Sequence, residues 1–184
     1  MPDVPGASGA LPRGVRLGVD VGSVRVGVAA SDPDGLIATP VETVPRDPAS
    51  ADDLAHLAHL AGIVAERAAA VVYVGLPRQL SGAEGSASAT VRNYGGALAR
   101  AVAPVPVRLV DERMSTVTAH RAMHASGRPG RRHRQVVDQV AAVVILQAAL
   151  DAERATGARG GELVGPSTDT MDRSGGATQQ EGSA

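Results

Sequence analysis

The chain of 184 residues contains no cysteine, no phenylalanine, no tryptophan and only two tyrosines. Without cysteine there are no disulfides, no thiolate zinc sites and no thiol nucleophiles. Without aromatics the core has to be built from Val, Ala, Leu and Ile, and stacking of bases on an aromatic platform is disfavoured. No run reaches the ~18 apolar residues that a membrane span requires. The opening Met-Pro-Asp is not a basic stretch leading into an apolar one. The expectation is a soluble, cytoplasmic protein with no membrane partner. Lysine is missing too, all 18 basic residues being Arg. That usage, beside abundant Ala, Gly and Pro, follows base composition as readily as function, so weight falls on where the arginines stand.

What is present is an apolar fraction of 43%, enough to fill the core of one domain. The net charge of −1 favours no class of partner by itself. Its distribution is more informative. Between Glu112 and Asp138 lie Arg113, Arg121, Arg128, Arg131, Arg132 and Arg134, with three histidines and no acid, a local cationic patch.

Residues 1–13 and 157–184 are rich in small residues, Pro, Gly, Ser, Thr and Gln without periodicity, and read as disordered tails around a domain at 14–156. Within it, Val15 to Asp20, Arg25 to Ser31 and Leu36 to Val44 read as three antiparallel strands. Helical spacing over Asp52 to Ala69 then leads into a buried strand at Val71 to Gly75. A Gly/Ser loop from Leu76 to Ser88, a helix from Ala89 to Val102 and a strand from Val105 to Val110 make a second step. Helices follow at Ser115 to Ala125 and Val136 to Glu153, with a Gly/Pro/Arg loop at Ser126 to Arg134 between them. The order predicts an α/β fold: a mixed five-stranded sheet, three antiparallel strands and then parallel ones, with helices on both faces.

Three acids stand at element ends. The pleat puts Gly18 and Asp20 on one side of the first strand, and small residues at Gly18, Gly22 and Gly27 would let a phosphate or hydrated cation come close. The alternative reading is that Asp20 and Gly22 only build a turn. Asp111 and Glu112 end the last strand and point to opposite faces, so one of them is expected to join Asp20; alternatively, one caps the next helix. Asp138 shares a helix face with Ala141, Ala142, Ile145 and Ala149, where a charge needs a partner; the helix dipole is the other way to stabilise it. Three carboxylates from separate elements suit a Mg²⁺ or Mn²⁺ site. His56 and His59 are spaced for metal binding but lack a third ligand, and read as a solvated helix face.

The stretch Asp20-Val21-Gly22-Ser23-Val24-Arg25-Val26-Gly27-Val28-Ala29 resembles the opening motif of the YqgF, or RuvX, family of Holliday-junction-resolvase-like nucleases. Val74-Gly75-Leu76-Pro77 with Gly82 resembles its second motif, Asp111-Glu112-Arg113-Met114-Ser115-Thr116 its third, and Val137-Asp138-Gln139-Val140-Ala141-Ala142 its last. The motifs occur in order over residues 15–153. The resemblance implies an RNase H-like fold with Asp20, Glu112 and Asp138 as catalytic, metal-binding acids. It also implies a hydrolase acting on nucleic acid, chiefly in processing the 5′ end of precursor 16S ribosomal RNA in ribosome biogenesis, with Holliday-junction cleavage as the alternative. Arg and Ala stand where relatives carry Lys and aromatics.

The expected mechanism is in-line attack of water on a phosphodiester, assisted by one or two Mg²⁺ or Mn²⁺ ions. Arg25 and Arg113 would contact phosphates near the scissile bond, and Arg128, Arg131, Arg132 and Arg134 the backbone farther out, unless that loop is only a solvated charge run. A junction resolvase requires a dimer and an RNA trimmer does not, so the expected state is a monomer or weak homodimer. Two rivals remain. An actin- or sugar-kinase-type nucleotide binder also opens on an Asp-x-Gly turn, but needs a second copy of the domain. A non-catalytic RNA or transcription-complex binder would keep the fold and lose the cleavage.

Overall fold

The computed structural model describes residues 11–47, 53–78, 84–112 and 131–165, with the backbone alone for 53, 54 and 131–137. Its strands are β1 (Val15–Val21), β2 (Arg25–Ser31), β3 (Ala38–Pro45), β4 (Ala69–Leu76), β5 (Val107–Asp111) and β6 (Glu162–Leu163). The helices are α1 (Asp53–Glu66), α2 (Ser86–Ala101) and α3 (Arg131–Thr156). One sheet runs β3-β2-β1-β4-β5-β6. The β1–β2 and β2–β3 pairs are antiparallel, β1–β4 and β4–β5 parallel, and β5–β6 antiparallel.

The predicted α/β class, the three-stranded antiparallel start and the parallel additions are all present. The sheet has six strands and not five. Beyond α3 the chain turns at Gly157 and Gly161, both at positive φ, and returns along β5 as β6. A two-residue strand has no alternation to detect, and its Gly-rich approach looked like tail composition. The third helix expected at 115–125 lies outside the described residues. Arg131, Arg132 and Arg134, predicted to lie in a loop, stand on the opening turns of α3. Gly130 was read as continuing the loop, yet the helix starts directly after it.

Strand alternation divides the sheet into two faces. Leu17, Val19, Val26, Val28, Val72, Val74, Val107 and Leu109 pack with Leu57, Leu60, Ile63 and Val64 of α1 and with Val91, Tyr94 and Leu98 of α2. Ala29, Val71 and Tyr73 face the other way, against Ala142, Leu146, Ala149 and Leu150 of α3. The α3 face is rich in small side chains, and this lets the helix lie close. A Cβ added at Gly18 would stand 2.6 Å from Leu146 Cβ, and one at Gly27 would stand 2.2 Å from the Asp138 carbonyl oxygen. Real Cβ atoms do not approach so closely, so side chains at these positions would push α3 off the sheet. Space at Gly18 and Gly27, expected to admit a phosphate or cation, is therefore taken by α3.

Both tyrosines are buried, so no Phe, Trp or Tyr is offered to a partner. Tyr94 stacks on His56 with ring centroids 5.5 Å apart, and its hydroxyl lies 3.0 Å from His56 Nε2. His56 is consequently buried, contrary to the expected solvated face, because α1 turns it towards α2. His59 is exposed, 3.1 Å from Glu42 Oε1.

Gly62 is an interior position of α1 where an added Cβ meets nothing within 4 Å. Gly62→Ala is expected to stabilise the protein by about 0.4–1 kcal/mol, because alanine restricts the unfolded chain and lowers the cost of forming the helix. A rise in the urea midpoint without change of slope checks this; a fall would mean that the site is crowded.

Candidate active site

The two parallel strand pairs and the β1–β2 hairpin bring several chain segments to one edge of the sheet. Asp20 is two residues beyond Gly18, so by the pleat it shares the α3-facing side. It is buried, and its Cα partner across the hairpin is Gly27. Above Gly27 passes Asp138, whose carbonyl oxygen occupies the space a side chain would need. On the other side of β1, Val19 pairs with Val74, so β4 continues into Gly75 beside Asp20. A Cβ at Gly75 would stand 2.9 Å from Glu112 Oε1 and 2.5 Å from Ile145 Cδ1. Glu112 thus lays its carboxylate over β4 on the α3 side, and it too is buried. Across the sheet edge the order is Gly27, Asp20, Gly75, Glu112, with Asp138 entering from the helix above.

All three predicted acids therefore reach the same face at the same edge. The Asp138 carboxylate, however, is engaged by Arg25: Arg25 Nε donates to Asp138 Oδ2 at 2.9 Å, with about a quarter of each side chain exposed (23% and 26%). Arg25 was read from sequence as a phosphate ligand, and its partner in the structure is this carboxylate. Among the described residues no three His, Asp or Glu side chains stand close enough together, as placed, to hold a metal ion.

Asp111 pairs with Leu76, whose side chain belongs to the α1/α2 face, so Asp111 and Glu112 diverge as the pleat requires. Asp111 Oδ2 lies 3.8 Å from Arg78 Nε. Arg78 was missed in the sequence because it sat at the start of a Gly/Ser loop. Its position directly after Leu76-Pro77, at the end of a parallel strand, was the available signal. Arg113 and Arg128 lie outside the described residues, and the side chains of Arg131, Arg132 and Arg134 are not described. A cleft of about 510 Å³ opens between β5, α3 and Gly160–Gly161; Glu112 lines it, whereas Asp20 and Asp138 do not.

The opposite end of α3 is fixed by a buried polar network. Glu153 Oε2 accepts from Arg16 Nε at 3.0 Å, and Arg16 Nη1 also donates to the carbonyls of Gly14 (2.6 Å) and Pro33 (3.1 Å). The Tyr73 hydroxyl donates to Glu153 Oε1. Burial, and then the Glu153 carboxylate itself, push the Tyr73 hydroxyl well above its ordinary range, so it stays a donor. Arg16 and Glu153 are each about 95% shielded from solvent. The helix that carries Asp138 is thereby tied to β1 and β4.

A mixed sheet that begins with an antiparallel meander, carries acids at the ends of two strands that flank β4 and is crossed by a helix bearing another acid is the RNase H-like arrangement expected from the motifs. In agreement, the fold superposes on that of "T. thermophilus RuvC in complex with Holliday junction substrate" with a TM-score of 0.52, at 18% identity, over 77% of this chain and 96% of that one. The family model of RuvX, described as Holliday junction resolvase, matches residues 14–152. The chain belongs to the RuvX family. A relative from a Nocardioides species, named "Putative pre-16S rRNA nuclease", is 57% identical over 153 residues, covering 82% of this chain and 96% of its own. A relative from Streptomyces coelicolor with the same name is 55% identical over 155 residues, covering 84% and 90%.

Proposed function

We propose that this RuvX-family chain is a divalent-metal-dependent nuclease that hydrolyses phosphodiester bonds, with the 5′ end of precursor 16S ribosomal RNA as its substrate in the cytoplasm. The observation that carries this reading is the convergence of Asp20, the Glu112 carboxylate and Asp138 on one face of the sheet edge, with glycines at 27 and 75 where side chains would separate them. The names of the relatives supply the substrate.

The residues fit Mg²⁺ or Mn²⁺ by their chemistry: three carboxylates from three elements form an all-oxygen donor set, and the Cβ-free surface of Gly75 leaves Glu112 Oε1 its place. Asp20, Glu112 and Asp138 would hold the ion. Such an ion supplies Lewis-acid stabilisation of phosphoryl charge and lowers the pKa of a bound water. Asp138 would serve the ion with the carboxylate that it gives to Arg25 in this structure. Arg25 stands two residue pairs from Asp20 along the hairpin and would offer its guanidinium to the phosphate being attacked. Burial of Asp20 and Glu112 limits the water that competes with these contacts and strengthens each of them. Strand ends and a helix anchored at its far end bring the three acids to one end of the sheet, and closing them on a cation would require their side chains to shift from the positions they hold here.

Cleavage of a precursor 16S RNA fragment, compared with a DNA four-way junction, tests the reading. In Mn²⁺ the wild-type chain is expected to cut the RNA at its 5′ leader, EDTA to stop it and Asp20→Asn to leave it uncut. Cleavage of the junction alone would transfer the activity to branched DNA. Binding of both probes without cleavage of either would overturn the nuclease reading.

A further inference from the structure

At the same end of the sheet as the acids, but on its α1/α2 side, stands a second cation that the proposed chemistry has not used. Arg78 follows β4 by two residues, with its side chain 30% exposed. Its Nη2 is 3.3 Å from Glu84 Oε1 and its Nε 3.8 Å from Asp111 Oδ2. The second distance is beyond hydrogen-bonding reach, and among the described residues Nε, shielded from solvent, has no acceptor.

Glu84 is a poor partner for Arg78 because Arg92 already holds it. Arg92 donates to Glu84 from Nε at 2.8 Å and Nη2 at 2.6 Å, and to Glu162 from Nη1 at 2.8 Å and Nη2 at 2.9 Å. These hydrogen bonds from Arg92 lower the pKa of both carboxyls. Arg16 and Arg108 are similarly committed. Arg16 is locked on Glu153, and Arg108 donates to the Gly160 and Gly161 carbonyls at 2.6 and 2.9 Å. Among the described residues Arg78 has the weaker share of one carboxylate and a distant second.

A planar guanidinium with a sheltered donor lacking an acceptor suits an anion that takes two parallel hydrogen bonds, and a phosphate does so. We propose that Arg78 binds a backbone phosphate of the nucleic-acid strand where it passes over the end of the sheet, beyond the acids and on the α2 side of β4 and β5. The assignment rests on the nuclease reading. Its substrate class is any strand whose phosphates follow the sheet edge, because a phosphate contact carries no base information. Asp111 and Glu84 flank Arg78 at 3.8 and 3.3 Å.

The test uses the full chain carrying Asp20→Asn, which prevents cleavage, with a fluorescein-labelled RNA stem-loop and a DNA four-way junction titrated at several KCl concentrations. Arg78→Gln is expected to weaken binding and to reduce the log–log salt slope by about 0.7–0.9, the loss of one phosphate contact. Arg78→Lys keeps the slope but binds a few-fold more weakly, for lack of the two-pronged donor, and so reports on the contact even where Arg78→Gln does not fold. Arg92→Gln removes the same charge from the same cluster, at a residue already saturated by carboxylates, and is expected to leave the slope unchanged. An unchanged slope in Arg78→Gln, an equal loss in Arg92→Gln, or Arg78→Lys binding as tightly as arginine would each overturn the assignment while leaving the nuclease reading intact. Failure of the Asp20→Asn protein to bind either probe would overturn both.

Discussion

Asp138→Asn is expected to lower kcat/KM by more than the roughly 100-fold that loss of an outer-shell metal partner can cost, while nucleic-acid binding and fold persist. Asparagine keeps the shape of the side chain and an oxygen able to accept from Arg25 Nε, now held at 2.9 Å by Asp138. The position of α3 over Gly27 depends on backbone contact and not on the carboxylate charge, so the helix stays in place. What disappears is one negative oxygen donor of the three proposed for the cation. Single-turnover cleavage in Mn²⁺, beside filter binding of the uncut substrate, separates these effects. Wild-type activity in the variant would remove Asp138 from the site and leave its ion pair with Arg25 as its whole role.

A second large effect is expected far from the acids. Glu153→Ala leaves Arg16, with side-chain exposure of 5%, as a buried charge without its carboxylate, and leaves the Tyr73 hydroxyl without its acceptor. Removing one partner of a buried ion pair typically costs about 3–5 kcal/mol, because the survivor cannot regain its hydration. For a domain of this size that corresponds to roughly 10 °C in Tm. Glu153→Gln retains acceptor and donor groups and should lose less. Urea unfolding of both variants checks the order. A loss below about 1 kcal/mol in Glu153→Ala would show that water reaches Arg16 and that α3 is held by apolar packing alone.

The sequence was readable where one residue type has one local consequence. β-rich runs joined at Gly22-Ser23 marked β1 and β2, a short continuous apolar run marked β4, and the pleat rule separated Asp111 from Glu112. Asp138 was identifiable because a carboxylate beside Ala141, Ala142 and Ile145 has to be explained by a partner. That partner was not identifiable. Arg25 lies 113 residues away, and the pairing exists only because Gly27 lets α3 settle onto β2. The same glycines, read as openings for a ligand, turned out to be seats for a helix, a distinction that depends on tertiary packing. His56 and β6 were missed for related reasons: one is buried by its neighbour α2, and the other is a strand only because β5 offers it an edge.

Whether Asp20, Glu112 and Asp138 act as a single cation site is tested most directly by Mn²⁺ binding, followed by electron paramagnetic resonance on the wild type and on Asp20→Asn, Glu112→Gln and Asp138→Asn. Saturable binding in the wild type, weakened in every one of the three variants, is the expected result. Wild-type affinity retained in any of them would place that residue outside the site, and no Mn²⁺ binding by the wild type would contradict the proposed chemistry altogether.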